Sequence, residues 1–161
     1  MKTLLLTSIA AVFFTCFSAE AQTWSSANRG FNNNVNTLSV CNSQLYAGGI
    51  FDSIDGRNAN KVCQWVSDTV WSDLGGGVDN TGVWAITGYN NNVCIGGFFC
   101  KANGLPVNNI ALWDGAAWST LGLGVNRVIY AMAVYNGDLY VGGGFIVQAV
   151  TLPAILHAGT G

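Results

Sequence analysis

Leu45-Tyr46-Ala47-Gly48-Gly49-Ile50-Phe51 returns as Val93-Cys94-Ile95-Gly96-Gly97-Phe98-Phe99 and again as Leu139-Tyr140-Val141-Gly142-Gly143-Gly144-Phe145. The steps from Gly48 to Gly96 and from Gly96 to Gly142 are 48 and 46 residues. A period of this length marks a repeat architecture, in which neighbouring units together bury a core that no single unit closes. Two further blocks keep the register. Trp65, Trp71 and Leu74-Gly75-Gly76-Gly77-Val78 match Trp113, Trp118 and Leu121-Gly122-Leu123-Gly124-Val125. A third block precedes each glycine pair, at residues 35–40, 83–87 and 129–134.

Each period reads as four short strands. In residues 129–134, Tyr130, Met132 and Val134 alternate with Ile129, Ala131 and Ala133, the spacing of two that a strand imposes. Asn136-Gly137-Asp138 is a hairpin turn signal leading into the glycine-pair strand. Ile110-Ala111-Leu112-Trp113 and Ala117-Trp118-Ser119-Thr120-Leu121 flank a second turn at Asp114-Gly115. Four antiparallel strands in about 47 residues make one blade of a β-propeller. The fold class expected is therefore all-β, an incomplete propeller of four-stranded meanders. Paired glycines weaken a strand, so their recurrence points to a close approach of another backbone or an aromatic ring. Tyr46, Tyr140, Trp65 and Trp113 are the large side chains expected to make it.

Residues 35–82 and 83–128 form two complete repeats and 129–161 a partial third. Trp24-Ser25-Ser26 lies thirteen residues before Thr37, as Trp118-Ser119-Thr120 lies thirteen before Ala131, so 22–34 reads as an orphan outer strand. The pattern fades through Val150-Thr151-Leu152-Pro153-Ala154-Ile155-Leu156-His157. A ring needs at least four blades. The chain is thus expected to be a fragment of a longer protein, with apolar surface left exposed and an open sheet edge that could pair between chains.

Residues 1–21 carry the three parts of an export signal: Lys2, an apolar stretch over residues 4–17, and Ala19-Glu20-Ala21 before Gln22. The apolar stretch falls short of the roughly twenty residues that span a bilayer, so a cleaved signal is expected rather than an anchor, and no transmembrane segment in the mature chain. Cys16 lacks the small preceding residues of a lipidation signal, since Phe13-Phe14-Thr15 stands there. Charged residues make up 9% of the chain and the net charge is −2, which leaves nothing basic to bind nucleic acid. Cys41, Cys63, Cys94 and Cys100 remain beyond the signal; three pairings and plain buried thiols are all open to them.

The blocks at residues 139–145, 108–118 and 121–125 resemble the kelch-like, galactose-oxidase-type propeller repeats of secreted bacterial proteins, among them surface proteins of Bacteroidetes. The resemblance covers about residues 23–150 and implies a propeller but no particular activity. The copper site of galactose oxidase takes two His, two Tyr and a Cys cross-link, which His157 alone cannot supply.

Glycosidase chemistry requires two carboxylates about 5–10 Å apart. Asp52, Asp55, Asp68, Asp73, Asp79, Asp114 and Asp138 sit mostly beside Gly, Ser or Asn, where turns and caps use them. Asp52-Ser53-Ile54-Asp55-Gly56-Arg57-Asn58 lacks full calcium-loop spacing, and Gly75-Gly76-Gly77 lacks the strand–helix context of a phosphate loop. No catalytic residue, metal ligand or cofactor is therefore assigned. The function expected is a secreted or cell-surface binding or adhesion module for a protein or glycan. The alternatives are the propeller part of an extracellular carbohydrate-active or oxidase-type enzyme, whose catalytic residues lie elsewhere, and a structural scaffold.

Overall fold

The structure, a computed structural model, describes residues 30–67 and 70–145. The export signal, the expected strand at Trp24-Ser25-Ser26 and the segment holding His157 lie outside the described residues. The described chain is all-β and its sheets are antiparallel. In the first sheet, β1 (Val35–Cys41), β2 (Gln44–Gly49), β5 (Val62–Ser67) and β6 (Val70–Asp73) lie side by side in that order. The second sheet repeats the plan with β7 (Gly82–Tyr89), β8 (Asn92–Phe98), β11 (Ile110–Trp113) and β12 (Trp118–Thr120). In a third, β13 (Ile129–Tyr135) pairs with β14 (Asp138–Gly143) among the described residues. The described residues do not close into a ring.

Local chemistry explains the first hairpin of each sheet. Cys41 pairs with Gln44, Tyr89 with Asn92 and Tyr135 with Asp138, leaving two-residue turns Asn42-Ser43, Asn90-Asn91 and Asn136-Gly137. All six turn residues have positive φ, which the right-handed twist of a hairpin requires and which Asn and Gly accept most readily. The Asp114 turn works differently. Its carboxylate accepts the Ala116 and Ala117 amides, both at 2.8 Å. Those bonds, Ala117's first, hold the carboxyl below the usual carboxylate range.

Two small hairpins, β3 (Ser53–Ile54) with β4 (Arg57–Asn58) and β9 (Lys101–Ala102) with β10 (Leu105–Pro106), add to the four-strand plan expected from the repeat. Each lies in the chain between the second and third strands of its sheet. Its strands of two residues are too short to show an alternating pattern.

The glycine pairs of the first two sheets, and Gly143 of the third, are close approaches, as expected, but the rings of Tyr46, Tyr140, Trp65 and Trp113 do not make them; backbone, aliphatic side chains and, at Gly49 and Gly143, the block's own Phe51 and Phe145 do. A Cβ on Gly48 would lie 2.6 Å from Val83 Cγ1 and 3.0 Å from Ile86 Cδ1. One on Gly96 would lie 2.7 Å from Ile129 Cγ2 and 3.0 Å from Met132 Sδ. The first glycine of the pair in each of the first two sheets, Gly48 or Gly96, is thus the hole that receives two aliphatic knobs of the next sheet's first strand. The second glycine has another duty: a Cβ on Gly49, Gly97 or Gly143 would strike the carbonyl oxygen of Asn34, Gly82 or Val128, at the start of the facing strand or one residue before it. At those points β1, β7 and β13 each carry a bulge, between Val35 and Thr37, Val83 and Ala85, and Ile129 and Ala131. The phenylalanine closing each block, Phe51, Phe99 or Phe145, is fully buried, worth about 1.5–3 kcal/mol apiece.

Trp113 and Trp118 do pack between sheets, against the linker rather than the glycine pairs. Gly75, at positive φ, lies under the Trp113 ring. The Trp118 indole N–H is shared between the carbonyls of Leu74 and Gly75, each at 3.1 Å. Trp65 and Trp71 instead meet edge to face at 5.0 Å, and Trp71 also meets Phe31 at 5.4 Å.

Candidate functional site: a polar groove between two sheets

The turn Gly75-Gly76-Gly77 carries the chain from the first sheet to the second with all three residues at positive φ. Gly77 donates back to the Leu74 carbonyl at 2.9 Å, and Val78 donates to the Asn60 carbonyl at 3.0 Å. Asn60 also donates its side-chain amide to the Gly76 carbonyl at 2.9 Å. On the other side, Asn103 donates its backbone N–H to the Gly77 carbonyl at 2.9 Å and Val78 bridges to Ala102. The linker is stitched to both sheets, and the two small hairpins stand on either side of it.

Between them runs a groove of about 450 Å³. Asp52, Asn60 and Lys61 line it from the first sheet, Asp79 and Asn80 from the linker, and Lys101 and Asn103 from the second. Its carboxylates already have structural partners. Asp79 Oδ1 accepts the amides of Cys100 at 2.7 Å and Lys101 at 2.8 Å, which fixes the start of β9. Asp52 is ion-paired with Lys61. Asp55 lies outside the groove, where its carboxylate accepts the Gly30 amide at 2.9 Å. The stretch weighed as a calcium loop is therefore the β3–β4 hairpin, with its two carboxylates on different partners. Among the described residues, no cluster of three or more His, Cys, Asp or Glu could hold a metal ion.

Lys61 separates this junction from its counterpart. The matching residue of the second sheet is Asn109, also buried and at positive φ. Asn109 acts inside the fold: its side-chain oxygen accepts the Phe99 amide at 3.2 Å and its amide donates to the Val125 carbonyl at 2.7 Å. Lys61 holds the same left-handed backbone, which a long side chain accepts poorly, yet sends its ammonium to Asp52 at the groove.

All four described cysteines are free thiols, Cys41, Cys63 and Cys94 buried and Cys100 exposed. Burial pushes the Cys63 thiol up to about 12, and raises that of Cys94 as well. The groove was missed in the sequence because its residues come from positions 52 to 104 and share no local motif. Comparison with models of known families, with curated proteins and with solved structures finds no match. Among the described residues no helix is long and apolar enough to cross a membrane.

Proposed function

We propose that this chain is an exported binding module of β-propeller type, related to the kelch-like repeats, and that the groove at the first sheet junction takes a polar ligand such as a glycan or a peptide. On this reading each four-stranded sheet is a blade and residues 1–21 are a cleaved export signal. One observation carries it: the groove gathers cations, amides and carboxylates from two sheets, while both of its carboxylates are held by ion-pair or backbone partners. Such a lining recognises hydroxyl, amide and charged groups without offering a free acid–base pair.

The test has two parts. Expression in a secreting host should release a chain that starts at Gln22. That chain, screened on immobilised glycans and peptides, should bind a polar ligand without turning it over. Lys101→Met and Asn103→Gly, the latter keeping a residue that accepts the positive φ at 103, should each weaken binding at least about tenfold with an unchanged melting temperature. A chain that cleaves its ligand, or variants that bind as the parent does, would refute the reading.

A further inference from the structure

The contact that stacks the sheets has two halves, and among the described residues both are left unfilled at opposite ends of the stack. The hole half is a glycine floor, and the knob half is a pair of aliphatic side chains on the next first strand. Inside the stack the pairs are Gly48 with Val83 and Ile86, and Gly96 with Ile129 and Met132. In the same register, Val35 and Leu38 are the knobs of the first sheet. Val83 and Ile129 are 0% exposed and Ile86 7%, whereas Val35 is 37% and Leu38 62% exposed. Gly142 is the floor of the third sheet, and a Cβ there would meet nothing nearer than 3.9 Å. Around it opens a groove of about 280 Å³ lined by Ala131, Met132, Ala133, Tyr140, Val141 and Gly142.

We propose that the Gly142 groove is the docking site for Val35 and Leu38 of a second copy of this chain. The occupant follows from the contact already built twice within the molecule. The groove has the same glycine floor as the two filled holes. Ala131, Ala133 and Tyr140 stand where Thr37, Ser39 and Tyr46 flank Gly48 in the first sheet. No charged residue lines it, so it suits an apolar knob and not the polar ligand proposed for the junction groove. Every copy carries one knob and one hole on different surfaces, so the contact is heterologous. Successive copies form a closed ring if the rotation between them closes, and an open filament if it does not.

Sedimentation velocity over a concentration series tests this with two variants. Leu38→Asp spoils the knob, and Gly142→Val fills the hole at a site where the added atoms meet open space. The parent chain should associate as concentration rises. Each variant alone should associate at least about tenfold more weakly, with unchanged circular dichroism and melting temperature. An equimolar mixture retains one good hole on the Leu38→Asp chain and one good knob on the Gly142→Val chain. It should form a one-to-one heterodimer and nothing larger. A parent chain that stays monomeric overturns the proposal, as does self-association indifferent to both variants or a mixture that stays monomeric. If the parent is monomeric and a chain ending at Phe145 associates, residues 146–161 fill the groove instead, and the proposal is equally wrong.

Discussion

Trp118 donates its indole N–H to the carbonyl of Leu74, 44 positions earlier, across the boundary between the first and second sheets. The same N–H is shared with the Gly75 carbonyl, so one side chain fixes the linker that lines the junction groove. Trp118→Phe keeps most of the ring and removes the donor. It should cost about 1–2 kcal/mol, read as a lower denaturant midpoint at unchanged slope. Trp71, the matching residue of the first sheet, makes no such bond among the described residues. Trp71→Phe should therefore cost clearly less, and equal losses would mean that ring packing and not the hydrogen bond does the holding.

The glycine floors differ in the same graded way. Gly96→Ala forces a methyl group against Ile129 and Met132 in a packed core, for which about 1–3 kcal/mol of destabilisation is expected. Gly142→Ala places the same methyl group in open space and gains from a less flexible unfolded chain, so stability should hold or rise slightly. Thermal melts of the two variants side by side decide this. A loss at position 142 as large as that at 96 would show that something already fills the groove.

That contrast also marks how far the sequence could be read. Gly48, Gly96 and Gly142 announce a close approach because a paired glycine in a strand has few other uses. They do not say what approaches, since the partner is set by which strand of the next sheet lies against them. Tyr46 and Trp113 are the natural partners by size, yet Val83 with Ile86 and Ile129 with Met132 fill the role, pairs three residues apart that the bulge in each strand brings to one face. Turns were legible where Asn and Gly dictate local φ, as at Asn136-Gly137. The β3–β4 and β9–β10 hairpins escaped because two residues have no period. The junction groove escaped because Lys61 signals nothing until it stands in a left-handed turn facing Asp52.

Buried thiols give the stability a pH dependence with a definite sign. Cys63 is raised from 9.0 to about 12 by burial, and burial raises Cys94 too. A raised folded pKa means that the folded chain keeps a proton which the unfolded chain loses first. Stability is thus whole below about pH 9 and falls as pH climbs from there toward 12, by up to about 1.4 kcal/mol per pH unit for each such thiol. Denaturation midpoints at pH 8, 9 and 10 should decline, and the decline should shrink in Cys63→Ala once its lower baseline is allowed for. Thiol-directed alkylation at pH 8 should modify exposed Cys100 first and spare Cys63 and Cys94 until the chain unfolds.

Lys61 separates stability from binding most cleanly. It occupies a left-handed conformation at φ 74, which costs a lysine more than an asparagine, and Asn109 occupies the matching place in the second sheet at φ 62. Its ion pair returns little of that cost, because the Asp52 side chain is 66% exposed and well hydrated. Lys61→Asn should therefore leave the fold as stable as before, or up to about 1 kcal/mol more so. It would also free Asp52 and strip the groove of one of its two lysines. If the groove is a binding site, this variant melts no lower than the parent while ligand retention in the binding screen drops at least about tenfold. If Lys61 serves only the fold, the order reverses: the melting temperature falls and binding is kept.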